Sequence, residues 1–145
     1  MAIKHITFLA LSLCALAIVG CSAGHLPTYP TSGVVQFEDG DPVRFGSIEF
    51  YNQQHDVTAR GTIDRNGRYE LSTFQANDGA IAGEHQVVVI QMLMPNPVVK
   101  RSPADASREH QHGRHVGKAY SGYATSSLTC TVEQGDNVHD FTVSE

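Results

Sequence analysis

Tryptophan is absent from the 145 residues, and cysteine occurs only three times. Without tryptophan a sugar-binding platform would have to be built from tyrosine, which weakens that reading. Cys14 lies inside an apolar run and Cys21 ends it, so Cys130 is the only thiol of the remaining chain. An intramolecular disulfide within that remainder is therefore excluded. Positive charge is also scarce: 10 Lys and Arg stand against 15 Asp and Glu, a net charge of −5 at pH 7. The charges are well mixed and form no basic patch, which argues against nucleic acid as a partner. The apolar stretch Ile6–Val19 is broken only by Thr7 and Ser12, and it falls short of the ~20 residues that cross a bilayer. Catalytic signatures are missing too. No His-Glu-x-x-His, Gly-x-Ser-x-Gly or phosphate-cradling glycine loop occurs, and neither enzymatic activity nor a cofactor is expected.

What is present begins with the leader. Met1–His5 is short and carries Lys4, the apolar run follows, and Gly20-Cys21 closes it. That run has the length of the apolar core of a secretory signal peptide. Its end, Ile18-Val19-Gly20-Cys21, resembles the bacterial lipobox. The resemblance implies cleavage before Cys21, removal of residues 1–20 and acylation of the Cys21 thiol. Each buried methylene contributes about 0.8 kcal/mol, so two or three acyl chains hold a domain on a membrane where one would not. The implied address is the cell envelope, on the non-cytoplasmic side of a membrane. After Lys4 is lost, 15 acids face 9 bases. From Ser22 to Thr31 the chain reads SAGHLPTYPT, polar with two prolines. Residues 21–31 are thus expected to be the lipidated cysteine and a tether of about ten residues, at most ~35 Å long.

Residues 32–145 alternate in short runs separated by turn residues. Val35 and Phe37 flank Gln36, and Asp39-Gly40-Asp41-Pro42 then turns the chain. Ile48 and Phe50 share a face. Thr62-Ile63 leads into Asp64-Arg65-Asn66-Gly67, a hairpin signal because Asn-Gly tolerates positive φ. Tyr69 and Leu71 alternate beyond it, and Gly79–Gly83 reads as a loop. Val87-Val88-Val89-Ile90 is apolar on both faces, as a central strand would be. Leu128, Cys130 and Val132 share a face, and Phe141 and Val143 follow a turn at Gly135-Asp136-Asn137. No stretch of the domain carries an apolar helix period. About seven short strands at these spacings predict an all-β, antiparallel sandwich.

These residues also carry a resemblance. Gly33-Val34-Val35 through Asp39-Gly40-Asp41-Pro42-Val43, Gly46-Ser47-Ile48, Asp64-Arg65-Asn66-Gly67-Arg68-Tyr69 and Ala82-Gly83-Glu84-His85 are similar to the carboxypeptidase regulatory-like, or transthyretin-like, β-sandwich. Tyr120–Leu128 resembles a late Tyr-Ser-x-Tyr-x-Thr-Ser-x-Leu segment of small envelope lipoproteins in that group. His85 stands where the family more often has an aromatic residue. The resemblance implies a seven-stranded, prealbumin-like Greek-key sandwich and no established activity, since fold alone licenses no reaction. The hydrolases and iron dioxygenases built on related folds are not matched. The chain ends Phe141-Thr142-Val143-Ser144-Glu145 rather than in a Tyr-Arg-Gly-Ser tail. His110 and His112 precede Tyr120 and Tyr123, whereas the dioxygenase tyrosines precede their histidines.

Two candidate sites stand out. Residues 95–118 form an insertion longer than ordinary connections, with Glu109-His110-Gln111-His112-Gly113-Arg114-His115 inside it. Ser102-Pro103-Ala104-Asp105 offers a helix start, on which His112 and His115 would share a face with Arg108 behind them. Neutral imidazoles suit zinc, copper and nickel, so His110, His112 and His115 are the candidate metal ligands. Gly113 and the absence of a closed-site spacing weigh against them. The second candidate is Tyr120 and Tyr123 with Lys118, read chiefly as packing at the entry of a strand beginning near Ser127. Cys130 is expected to be a small buried hydrophobe, and His25, His55 and His139 to lie on the surface. The leading expectation is a non-enzymatic, membrane-anchored envelope lipoprotein acting as a binding or structural module toward another envelope protein or polymer. The alternative is a metal-binding lipoprotein using the 109–115 loop.

Overall fold

The computed structural model describes residues 24–91 and 114–145. Ten strands follow in order: β1 (Thr28–Tyr29), β2 (Thr31–Phe37), β3 (Gly46–Asn52), β4 (Val57–Ile63), β5 (Arg68–Glu70), β6 (Ala80–Ile81), β7 (Gly83–Gln91), β8 (Leu128–Val132), β9 (Asn137–Val138) and β10 (Phe141–Val143). Among the described residues there is no α-helix. A 3-10 turn spans Lys118–Ser121, and among the described residues no helix is long and apolar enough to cross a membrane.

The strands build two four-stranded sheets and a short β1–β6 pair. One sheet runs β4-β3-β7-β8 and is antiparallel throughout. In the other, β2 pairs antiparallel with β5 but parallel with β9 and β10. The all-β, mainly antiparallel expectation is met, with that parallel edge as the departure. Period-two burial explains why these segments sit as they do. Along β3, Gly46, Ile48, Phe50 and Asn52 are buried while Ser47, Glu49 and Tyr51 are half-exposed. Val35, Phe37, Ile48, Phe50, Ile63, Tyr69, Leu71, Val87, Val89, Val132, Phe141 and Val143 join one core, so the inner faces of both sheets pack on each other.

The turns are held by their own side chains. The Asp64 carboxylate accepts the N–H groups of Asn66 at 2.7 Å and Arg68 at 2.9 Å, and Gly67 follows at φ +79°. The chain reverses here as expected, yet β4 and β5 do not form a hairpin ladder. They join different sheets, and just past β5 Ser72 bridges Arg60 of β4. In the 72–79 loop, Asp78 accepts N–H bonds from Thr73, Phe74 and Gln75. Asn137, nearly buried, closes the 133–136 turn by bonding the backbone of Glu133 and Gly135.

Three boundaries differ from the sequence reading. The chain enters the fold at Thr28, inside the segment read as tether, because Thr28 and Tyr29 pair with Ile81 and Ala80. The same pairing places β6 within the expected 79–83 loop. The last part of the 95–118 insertion belongs to the domain. Val116 N–H donates to Gln91 Oε1 at 2.9 Å, Gln91 Nε2 donates to the Arg114 carbonyl at 3.2 Å, and Gly117 N–H donates to the Ser144 carbonyl at 2.8 Å. The Arg114 guanidinium bonds Glu145 at 2.6 Å and also Asp39, and it lies 4.3 Å from the centre of the Phe37 ring.

The domain has two distinct ends. Thr28, the 52–57 turn, the 72–79 loop, Gly83 and the 133–136 turn share one. The 38–45 turn, the 64–67 turn, Gln91, Arg114 and Glu145 share the other. Strand β7 runs from one to the other, roughly 26 Å at about 3.3 Å per residue.

Candidate functional site

An open concavity of about 910 Å³ lies outside the corner where β4 and β5 meet. Arg60, Asp64, Arg68, Tyr69, Glu70 and Asp140 are among its lining residues. Most of these groups already have structural work. Arg60 Nε lies 3.0 Å from Glu49, and Asp140 accepts the Val34 N–H at 2.8 Å. The Asp64 carboxyl is held below its usual range by the turn N–H groups it accepts. Tyr69 donates its hydroxyl to the His139 carbonyl at 2.6 Å, and burial raises its pKa. Arg68 and Glu70 remain exposed and make no side-chain hydrogen bond among the described residues. Polar and apolar groups together line the concavity.

A second cluster sits in the core around Phe50. His85 is buried at 2% exposure, 5.9 Å from the Phe50 ring centre. Its Nδ1 lies 2.9 Å from the Gly83 carbonyl. A carbonyl only accepts, so Nδ1 carries the proton and Nε2 is left as the lone-pair nitrogen. His139 lies 6.2 Å from the same ring, with its Nε2 buried and without a hydrogen-bond partner among the described residues. The expectation of a surface His139 is thus corrected. In the alternation Asn137, His139, Phe141, Val143 it occupies an inward position, and that pattern was available in the sequence. His25 and His55 are exposed, as expected.

Burial holds the His85 pKa below its ordinary value, and His139 adds in the same direction against the opposing Gly83 carbonyl. A lowered histidine pKa gives stability that is complete above the unfolded value of about 6.5 and is lost as pH falls below it. Asp39, Asp64 and Asp78 are lowered too, and their contribution disappears only at more acidic pH, below about 3.8. The urea midpoint is therefore expected to be flat above pH 7 and to drop between pH 6.5 and 5. The His85→Phe variant should flatten that drop. An unchanged slope in the variant would place the acid sensitivity elsewhere.

Cys130 stands opposite His85 on the ladder between β7 and β8. It is half-buried, and burial pushes its thiol up to about 12. It therefore stays protonated and poorly nucleophilic at neutral pH. Tyr120 is half-buried, packs against the core and shares a 3.3 Å contact with Ser144 Oγ. Tyr123 donates its hydroxyl to Glu49 at 2.6 Å, and burial and that carboxylate push its pKa up to about 12. Its ring lies 5.2 Å from that of Tyr51. Both tyrosines brace the 114–126 segment on the sheet, and Lys118 is exposed beside them. Glu49 and Asn52, which sequence reasoning passed over, hold that arrangement and the adjoining turn. Polar residues on the outer face or at the end of a strand give no sequence signal of this kind.

Of the metal candidates, His115 is exposed, while His110 and His112 lie outside the described residues, as does Cys21. Among the described residues no group of three or more His, Cys, Asp or Glu is arranged to hold a metal ion. No family model matches the chain, and no curated protein matches it.

Proposed function

We propose that this chain is a lipid-anchored protein of the bacterial envelope, held on the non-cytoplasmic side of a membrane by acyl chains on Cys21. Its domain, a transthyretin-like Greek-key sandwich in this reading, serves as a non-enzymatic binding or structural module toward another envelope protein or polymer. The observation that carries the reading is Ile18-Val19-Gly20-Cys21 placed directly after the apolar run Ile6–Val19. The engagement of Asp64, Tyr69 and Asp140 in backbone bonds supports a role without chemistry of its own. Entry into the sheet at Thr28 fits a short tether, since the seven residues from Cys21 reach at most ~25 Å.

Intact-mass spectrometry of the membrane-extracted protein tests the anchor. The wild type should lose residues 1–20 and gain the mass of two or three acyl chains. Cys21→Ser should keep the leader, gain no lipid and leave the membrane fraction after a high-salt wash. An unacylated wild type sinks the reading.

A further inference from the structure

Leu26 and Phe74 are two of the exposed apolar side chains that the core leaves out, and both belong to the end of the domain where the chain enters. Each is 38% exposed. The chain brings them to one end: the His25 ring stacks on Phe74 at 4.4 Å between centres and 25° between planes, and Leu26 is the next residue. Phe74 is fixed by its own loop as well, through the N–H bond it gives to Asp78 at 3.0 Å. That bond, with those from Thr73 and Gln75, uses up the acid of the 72–79 loop. Residues 24–28 and 72–77 bring no other carboxylate to the patch. Asp56, Glu84, Glu133 and Asp136 belong to the same end, three of them on the 52–57 and 133–136 turns.

The length of chain decides what meets this patch. Leu26 is five residues from Cys21, at most ~18 Å fully extended. On the anchored reading above, on which this inference rests, the tether keeps the patch within that distance of the lipid headgroups. We propose that Leu26 and Phe74, with the His25 ring stacked on Phe74, form a membrane-contacting patch that seats the domain upright on a zwitterionic lipid surface. Aromatic and aliphatic side chains enter the headgroup boundary, and an imidazole stacked on phenylalanine matches its mixed polarity. The acids on the neighbouring turns disfavour an anionic surface. The far end, with Phe45 and Ile90, is expected to point away from the bilayer.

The absence of tryptophan makes the test direct. Acylated full-length protein carrying Phe74→Trp, and separately Phe45→Trp, is purified and reconstituted in phosphatidylcholine vesicles with or without chain-brominated lipid. The Phe74→Trp fluorescence should be quenched at least twofold and the Phe45→Trp fluorescence left unchanged. Adding Leu26→Asp to Phe74→Trp should remove at least half of the quenching. Acylated protein in which neither reporter is quenched, or both are quenched equally, overturns the patch while leaving the anchor intact. Failure to obtain any acylated protein overturns the anchor instead.

Discussion

Replacing Gly79 with alanine should destabilise the domain by more than about 3 kcal/mol, a large part of the 5–15 kcal/mol that a domain of this size holds. Two causes add. Gly79 sits at φ +83°, where an L side chain costs roughly 1–2 kcal/mol. A Cβ there would also lie 1.8 Å from the Tyr29 carbonyl oxygen and 2.9 Å from Pro30 Cα, both backbone atoms that cannot swing aside. Gly79 is where the 72–79 loop closes on β1: its N–H donates to the Leu71 carbonyl at 3.0 Å, and its carbonyl accepts from Thr73 Oγ1 at 2.6 Å. Gly40 provides the control. It has φ +89° but open space around its missing Cβ, so Gly40→Ala should show the conformational cost alone. Urea denaturation of both variants checks this. Equal losses would mean that the close approach of Tyr29 relaxes at no cost.

Phe50→Ala is the second large effect, with an expected loss of about 3–5 kcal/mol. The ring is fully buried at the centre of β3. Its centre lies 5.8 Å from that of Phe141 in an edge-on arrangement, 6.0 Å from Tyr69, and close to both inward histidines. Because Phe141 belongs to β10 and Phe50 to the other sheet, their contact spans the two layers. A double-mutant cycle on Phe50 and Phe141 should return a coupling of about 0.5–1.5 kcal/mol. A coupling near zero would show that the two rings contribute only by the area they bury.

Much of this core was readable in the sequence, because alternation at period two reports which side of a strand is covered. Val35 and Phe37, Ile48 and Phe50, Tyr69 and Leu71, and Phe141 and Val143 all face inward as expected. What alternation leaves out is the partner and the direction. The Asp64–Gly67 turn announces a reversal but not that β4 and β5 will part company into different sheets. At Gly61 the Glu70 carbonyl comes so close that a Cβ would lie 2.6 Å from it, a contact between the two strands that no local pattern announces. Likewise Phe141 and Val143 show an inward face, but nothing in them distinguishes a parallel from an antiparallel neighbour. The two-residue strands β1 and β6 are too short to carry any period. The 114–121 segment was hidden for another reason. Its attachment depends on Gln91, Asp39, Ser144 and Glu145, none of them near it in sequence.

At the candidate site the sequence separated types of residue better than it separated their roles. Cys130 and Tyr123 turn out to be packing groups with raised pKa values, and Tyr120 packs against the core. His139 did not follow the expectation, because a histidine among polar residues looks solvated until its alternation with Phe141 is taken into account.

The bonding of Gln91 to Arg114 has a consequence for how this protein holds its shape. Since the two residues are already fastened to each other and to the body of the domain, the chain between them begins and finishes at one doorway. The scaffold on either side of that doorway is thus closed by its own hydrogen bonds, Gln91 clasping Arg114 and Val116 at once.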